Sequence, residues 1–279
     1  MVLMLMMPFR RAWRNVIFQG AVENFSRDAV RWSHGLNYLI ILAVVLFITW
    51  PKEAFLALRD LPFTYNALGG ATLVLLSYVS FSQGSRKSVG EERMPLRDWL
   101  MLAPVSPDTF TRGYLAFGLL ECLFYWGLIL PLLVMAAGAS GESLSHMAAG
   151  AAIILVCTAS YRMVATALLF CLERDEFILY LMVRLLYVFW ILISGFSLPL
   201  CNPVLAFVDA SLWHHRHALP SWPLLGGQIP GWVITLGVHL LLGGLFFIIA
   251  TIRIRWIRRR AEHLGLAVQE ENHGRLSPS

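Results

Sequence analysis

Long apolar runs recur along the chain, and short polar stretches rich in arginine separate them. Six runs approach the roughly 18–25 residues that carry a helix across a bilayer core: Gly35–Trp50, Tyr65–Phe81, Gly113–Ala137, His146–Leu172, Phe177–Leu198 and Gly231–Ile254. The first two are the shortest. Neither an internal repeat nor a low-complexity linker divides them, so the pattern predicts one bundle, an all-α integral membrane protein with six transmembrane helices. Composition agrees: 58% of the residues are hydrophobic and only 14% charged, whereas soluble domains are about half apolar and about a quarter charged.

The net charge of +5 comes from arginines beside the apolar runs, which points to membrane orientation instead of nucleic acid. Arg10, Arg11, Arg14, Arg27 and Arg31 precede the first run. Arg86, Lys87, Arg93, Arg97 and Arg112 lie between the second and third, and Arg253, Arg255, Arg258, Arg259 and Arg260 close the last. The alternate loops hold only Lys52, Arg59 and Arg216. The basic segments are therefore expected on the cytoplasmic side of the cell's inner membrane, with both termini there.

This divides the chain into an N-terminal interfacial segment (1–34), a six-helix transmembrane domain (35–260) and a cytoplasmic tail (261–279). The opening MVLMLMM run has its charges after it and is short for a signal core, so no cleaved leader is expected. Phe9, Trp13, Ile17 and Phe25, interleaved with Arg10, Arg11 and Arg14, suit an amphipathic helix with its apolar face in lipid and its arginines near headgroups. A basic tail without structure is the alternative.

The loop between the second and third runs reads EERMPLRDWLMLAPVSPDTF from Glu91 to Phe110. Pro95 suits the first turn of a helix, and Glu91 and Glu92 upstream suit its positive end. Leu96, Trp99, Leu100 and Ala103 then share one face at i, i+3, i+4 and i+7. Pro104 stops the helix. Ser106 follows as an N-cap, Pro107 as a first helical residue and Asp108 as a first-turn acid, which starts a second helix leading into the third run. Periodicity alone leaves the Trp99 stripe either docking a partner or lying on the membrane surface.

The stretch from Val89 through Leu119 resembles the ABC-2-type permease family, the membrane subunits of a large class of ABC exporters. It shares the acidic-basic cluster, the Leu-rich helix and the Ala-Pro-Val-Ser turn before the third span. Asn202-Pro203 with VLAFVDASL also resembles the Asn-Pro turn and short helix that follow the family's fifth span. The chain departs at Met94-Pro95-Leu96, where Glu-Gly-Thr is usual, and at Arg112-Gly113, where a lysine is common. The resemblance implies that the loop is a coupling helix, with Glu91, Glu92, Leu96, Trp99, Leu100, Ala103, Pro104 and Ser106 contacting a cytoplasmic ABC ATPase subunit. It also implies two permease subunits, as homodimer or heterodimer, driven by ATP and Mg bound to the ATPases. This chain holds no G-x-x-x-x-G-K-[ST] sequence. Its nearest approach, Gly84-Ser85-Arg86-Lys87-Ser88, lacks the second glycine that lets backbone N–H groups wrap a phosphate. The expectation is a transport subunit with no catalysis and no cofactor of its own.

Glu121, Arg162 and Arg184 fall inside apolar runs, where a charge facing lipid is costly, so each is expected to face the bundle or a wet cavity. Counted from the arginine-rich ends, they lie at similar depths of about 10–15 Å at about 1.5 Å per residue. Thr158, Arg162 and Thr166 share one face, and Tyr180, Arg184 and Tyr187 another, so the stripes are positioned to converge with Glu121 and Tyr125. The cluster is either a structural ion-pair set or a substrate contact, and Arg184 also has the length to snorkel to headgroups.

Asn202 is expected to cap a short helix begun by Pro203, with Leu205, Val208 and Leu212 on its apolar face, dipping into the outer leaflet. His214, His215 and His217 follow each other too closely to share a face, and no acid or cysteine lies near them, so no metal site is expected. The four cysteines lack zinc spacing and form no evident disulfide framework. A rival function is a membrane-embedded enzyme: Glu91-Glu92 with Arg97 resembles the EExxxR of CAAX-type intramembrane proteases, but one residue too long and in a loop, with His239 alone in the last run. A non-transporting membrane scaffold is the third reading. The apolar spans lean toward a lipid-like or amphipathic cargo.

Overall fold

A computed structural model describes residues 13–50, 62–84, 88–89, 94–95, 105–172, 176–212, 219–224 and 227–275. In chain order these form α1 (Val16–Arg27), α2 (Ala29–Thr49), α3 (Phe63–Gly84), the two-residue strands β1 (Ser88–Val89) and β2 (Met94–Pro95), α4 (Pro107–Ser140) and α5 (Leu144–Leu172). Next come α6 (Glu176–Val188), a π-helical turn (Phe189–Ile193), α7 (Ser194–Ser197) and a 3-10 turn (Pro199–Cys201). The chain then forms α8 (Pro203–Leu212), the hairpin β3 (Trp222–Leu224) and β4 (Gly227–Ile229), and α9 (Gly231–Arg275).

Five segments are long and apolar enough to cross a membrane: Trp32–Thr49, Pro107–Ser140, Leu144–Leu172, Phe177–Ser197 and Gly231–Arg260. The protein is thus an all-α membrane-type bundle. Among the five, α5 is the hub. In its apolar window 78% of the residues are buried, against 17% in α2 and in α9, and it packs on α3, α4, α8 and α9. The remaining long helix, α3, has 22 residues and buries Thr64, Thr72, Ser77, Ser80 and Gln83. These polar groups lower its hydropathy and face protein, because α3 lies among α4, α5 and α8.

Helix termini gather at two ends, as an antiparallel bundle requires. At one end, Asp108 in the first turn of α4 pairs with Arg255 of α9 at 2.9 Å. Arg253 Nε there donates to the Phe170 carbonyl of α5 at 3.2 Å. Asn15 Nδ2, just before α1, donates to the Thr109 carbonyl at 2.6 Å. At the other end, Tyr65 N donates to Ser140 Oγ at 3.1 Å and Tyr65 Oη to the His146 carbonyl at 3.3 Å. The Thr64 hydroxyl donates to the Thr49 carbonyl. The arginines Arg112, Arg253 and Arg255 thus belong to one end, with α1 beside them.

α1 packs along α4. Phe18 is fully buried, and the Phe25 ring meets Phe117 and Phe124 edge-on at 6.0 and 5.1 Å. A Cβ on Gly113 would lie 2.8 Å from Ile17 Cβ, so the glycine admits the helix. Within the described residues, Ile17 and Phe25 of the expected lipid-facing side are turned toward protein, because the aromatic face of α4 covers them. Trp13 stays exposed and Phe9 lies outside the described residues.

The expected helix start at Pro95 is not what the backbone shows. Met94–Pro95 pairs antiparallel with Ser88–Val89, Ser88 opposite Pro95, so the chain reverses between them. A proline fits such a short edge strand because it needs no N–H there. Further on, α4 begins at Pro107, six residues before the apolar run, with the Ser106 hydroxyl accepting from Thr109 N at 3.2 Å and Asp108 in the first turn. It ends at Gly141, whose φ of 70° is the left-handed cap that glycine favours. Likewise α9 passes Ile254 and continues to Arg275, so the helix carries on from the transmembrane domain into the expected tail.

Candidate functional site

The polar centre of the bundle is an ion pair. Glu121 on α4 and Arg162 on α5 are 3% and 5% exposed, and Arg162 Nη2 meets Glu121 Oε2 at 2.5 Å. Two glycines make room for the arginine. A Cβ on Gly118 of α4 would sit 3.1 Å from Arg162 Nε, and one on Gly84 of α3 would sit 3.0 Å from the Arg162 carbonyl oxygen and 2.6 Å from Ala165 Cβ. The stem therefore runs in a slot between α3 and α4. Removing either charge would leave the other uncompensated in a low-dielectric interior.

Beside the pair is a cavity of about 10 Å³, lined by Ser80, Gln83, Tyr125 and Thr158 with the two charges. It has space for about one water molecule. The Thr158 hydroxyl is already committed, donating to the Ile154 carbonyl at 2.7 Å, and that of Thr166 donates to the Arg162 carbonyl at 2.8 Å.

Of the three charges that the sequence singles out, the structure brings Glu121 and Arg162 together and leaves Arg184 apart. Arg184 is partly exposed on α6, its guanidinium 3.4 Å from the centre of the Tyr180 ring. The cause is rotation. Leu179, Val183 and Ile191 are buried on the inward side of this segment, and Arg184 follows Val183 by one residue, a turn of roughly 100°. Tyr187 does face inward, donating its hydroxyl to the Val74 carbonyl at 3.3 Å. Gln83 and Ser80 are additions from α3. Their signal is the polar spacing Ser77, Ser80, Gln83 at the end of the second apolar run.

A second polar centre joins α6 to α8. The π-turn closes with Ser194 N on the Phe189 carbonyl, which leaves nearby carbonyls out of the regular α pattern. Asn202 Nδ2 meets them, donating to Ile191 O at 3.1 Å, Trp190 O at 3.4 Å and Ser194 Oγ at 3.0 Å. Its Oδ1 accepts from Val204 N and Leu205 N at 2.9 and 3.0 Å, capping α8. The buried face of α8 is Ala206, Phe207, Asp209 and Ala210, while Leu205, Val208 and Leu212 of the expected apolar face remain half-buried. The Phe207 ring lies so close to Gly69 and Gly150 that a Cβ on either would collide with it, so α8 is wedged between α3 and α5 at the end away from the arginines. Asp209, fully buried, accepts from Leu219 N at 2.9 Å and from Trp232 N at 3.1 Å in the first turn of α9. Carboxylate and helix N-terminus suit each other electrostatically.

His239 is hydrogen-bonded on both ring nitrogens, to the Tyr161 hydroxyl at 2.9 Å and to the Thr235 carbonyl at 2.9 Å. Ser106 is the described member of the expected ATPase-contact set and caps α4. Glu91, Glu92, Leu96, Trp99, Leu100, Ala103 and Pro104 lie outside the described residues, as do His214, His215 and His217. Among the described residues, no three of His, Cys, Asp or Glu are grouped to hold a metal ion.

No family model, no curated protein and no solved structure matches the chain.

Proposed function

We propose that the chain is the membrane-spanning permease subunit of an ATP-driven ABC transporter of the ABC-2 type, an exporter coupled to a separate cytoplasmic ATPase. The observation that carries this reading is α8. After the fifth predicted span, the Asn202-Pro203 turn folds a short helix back into the bundle, and this is one of the two stretches on which the family resemblance rests. Further support comes from α3. Its 22 residues extend about 33 Å at about 1.5 Å per residue, enough for a bilayer core of about 30 Å. Counting it gives the six spans of this reading, and the clustered arginines favour both chain ends in the cytoplasm of an inner-membrane protein.

On this reading the loop between α3 and α4 carries the coupling helix, and its movement reaches the bundle through Ser106 and the first turn of α4. ATP and Mg belong to the ATPase, and two permease subunits enclose the path. The protease alternative has weaker support, because both ring nitrogens of His239 are engaged with Tyr161 and Thr235.

Affinity purification from gently solubilised membranes tests the proposal. An ATPase bearing Walker motifs should accompany the chain, and its ATP hydrolysis should change when the permease is present. Recovery of the chain with no ATPase, and no Walker-motif protein encoded in the adjacent reading frames, would overturn it.

A further inference from the structure

The outer face of α9 carries a graded stripe. Leu241, Leu245, Ile248 and Ile252 recur at helical spacing on one side and are 77%, 54%, 54% and 61% exposed. The same side continues into Trp256, 42% exposed, and then Arg259 and Arg260, both exposed. From Leu241 to Ile252 the rise is about 16 Å, close to the hydrocarbon of one leaflet, about half of a bilayer core of about 30 Å. Apolar surface, indole and guanidinium therefore follow each other in the order in which a phospholipid presents acyl chain, interface and phosphate.

The neighbouring charges separate these two arginines from those with structural tasks. Arg255 is paired with Asp108 at 2.9 Å, and Arg253 donates to the Phe170 carbonyl at 3.2 Å. Among the described residues no acid is paired with Arg259 or Arg260. The Trp256 ring has the Arg253 guanidinium 4.2 Å and the Arg260 guanidinium 5.3 Å from its centre. The ring thus keeps the Arg260 guanidinium at the end of the apolar stripe. A zwitterionic lipid also offers a phosphate, but its own cationic group offsets that charge, whereas an anionic lipid brings a net negative charge to the two guanidiniums that have no acid partner among the described residues.

We propose that this face of α9 binds an anionic phospholipid, with an acyl chain along Leu241, Leu245, Ile248 and Ile252 and the phosphate held by Arg259 and Arg260 beside Trp256. The site requires only that α9 spans the bilayer and is independent of what the protein transports.

The test uses the full chain in nanodiscs of mixed phosphatidylglycerol and phosphatidylcholine, with retained lipid measured by native mass spectrometry. The parent should retain phosphatidylglycerol selectively. The double variant Arg259→Gln/Arg260→Gln should lose about 30-fold of that selectivity, the equivalent of about 2 kcal/mol at about 1 kcal/mol per arginine. Arg259→Lys/Arg260→Lys should keep most of it. Equal retention of the two lipids by the parent, or unchanged selectivity in the glutamine variant, would overturn the proposal. So would a glutamine variant that keeps its lipid selectivity but loses a protein partner, since the face would then belong to that partner. Should the glutamine variant fail to fold, the parent decides: phosphatidylglycerol with a photoreactive acyl chain should crosslink within Leu241–Trp256, and crosslinking confined to other helices would refute the site.

Discussion

Tyr161 on α5 and His239 on α9 share a hydrogen bond across the bundle. His239 Nδ1 lies 2.9 Å from the Thr235 carbonyl, which only accepts, so Nδ1 carries a hydrogen. In the neutral ring Nε2 then accepts, and the Tyr161 hydroxyl donates to it at 2.9 Å. Both side chains are fully buried, and the bond ties the hub helix to α9, the longest of the described helices.

Tyr161→Phe keeps the ring packing and strands the Nε2 acceptor. A buried group left without its partner costs about 1–3 kcal/mol. Thermal unfolding of the purified protein in one detergent should show that loss, and Tyr161→Phe combined with His239→Leu should lose less than the sum of the two single changes. Additive losses would mean that the contact is not coupled.

The Glu121–Arg162 pair makes a larger prediction. Glu121→Gln leaves the Arg162 charge without compensation, a loss of about 3–5 kcal/mol for a buried pair. Replacing both, as Glu121→Leu/Arg162→Met, should restore much of the stability, because the desolvation cost of the two charges also disappears. Gly118→Ala, whose methyl would press on Arg162 Nε, should destabilise without removing any charge. A Glu121→Gln protein that unfolds at the parental temperature would contradict the pairing.

Asn202 separates two functions of a single side chain. Asn202→Asp keeps the oxygen that caps α8 and removes the amide that donates to Ile191, Trp190 and Ser194. Asn202→Ala removes both, adding a cap loss of about 0.5–2 kcal/mol. Both variants should therefore unfold below the parent, the aspartate through a buried charge facing carbonyls and the alanine through the lost cap and the lost amide donors. Equal behaviour of the alanine variant and the parent would refute the double role. Amide exchange in α8 should rise most in the alanine variant.

How far the sequence reveals this architecture depends on whether a feature is local. The start of α4 is legible because Ser106, Pro107 and Asp108 are a cap, a fixed φ and a first-turn acid in succession. The start of α8 is legible from Asn202-Pro203 for the same reason. The slot for Arg162 is not legible, since Gly84 and Gly118 acquire meaning only when α3 and α4 meet across α5. Arg184 shows the converse: depth can be counted along a chain, but the inward face of α6 is set by Leu179 and Val183 against their neighbours. The carboxylate of Asp209 looks like a surface residue of a short helix until the N-terminus of α9 lies over it. The second apolar run is understated by hydropathy because Thr72, Ser77, Ser80 and Gln83 are polar by composition yet buried against the rest of the bundle.

The coupling reading rests on Trp99, the largest side chain on the stripe with Leu96, Leu100 and Ala103. If that stripe docks in an ATPase, truncating a central tryptophan should cost on the order of 2–4 kcal/mol. Trp99→Ala should then weaken association about 30-fold or more at about 1.4 kcal/mol per decade, while the chain stays folded and inserted. Arg97→Ala, off the stripe, is the matched control and should lose much less, because an exposed charge pair is worth under about 1 kcal/mol. A helix that merely lies on the bilayer predicts altered membrane contact with ATPase affinity intact. Affinity measured for parent, Trp99→Ala and Arg97→Ala in the same nanodiscs separates the two, and a tryptophan variant that binds as tightly as the parent would remove this face from the coupling interface.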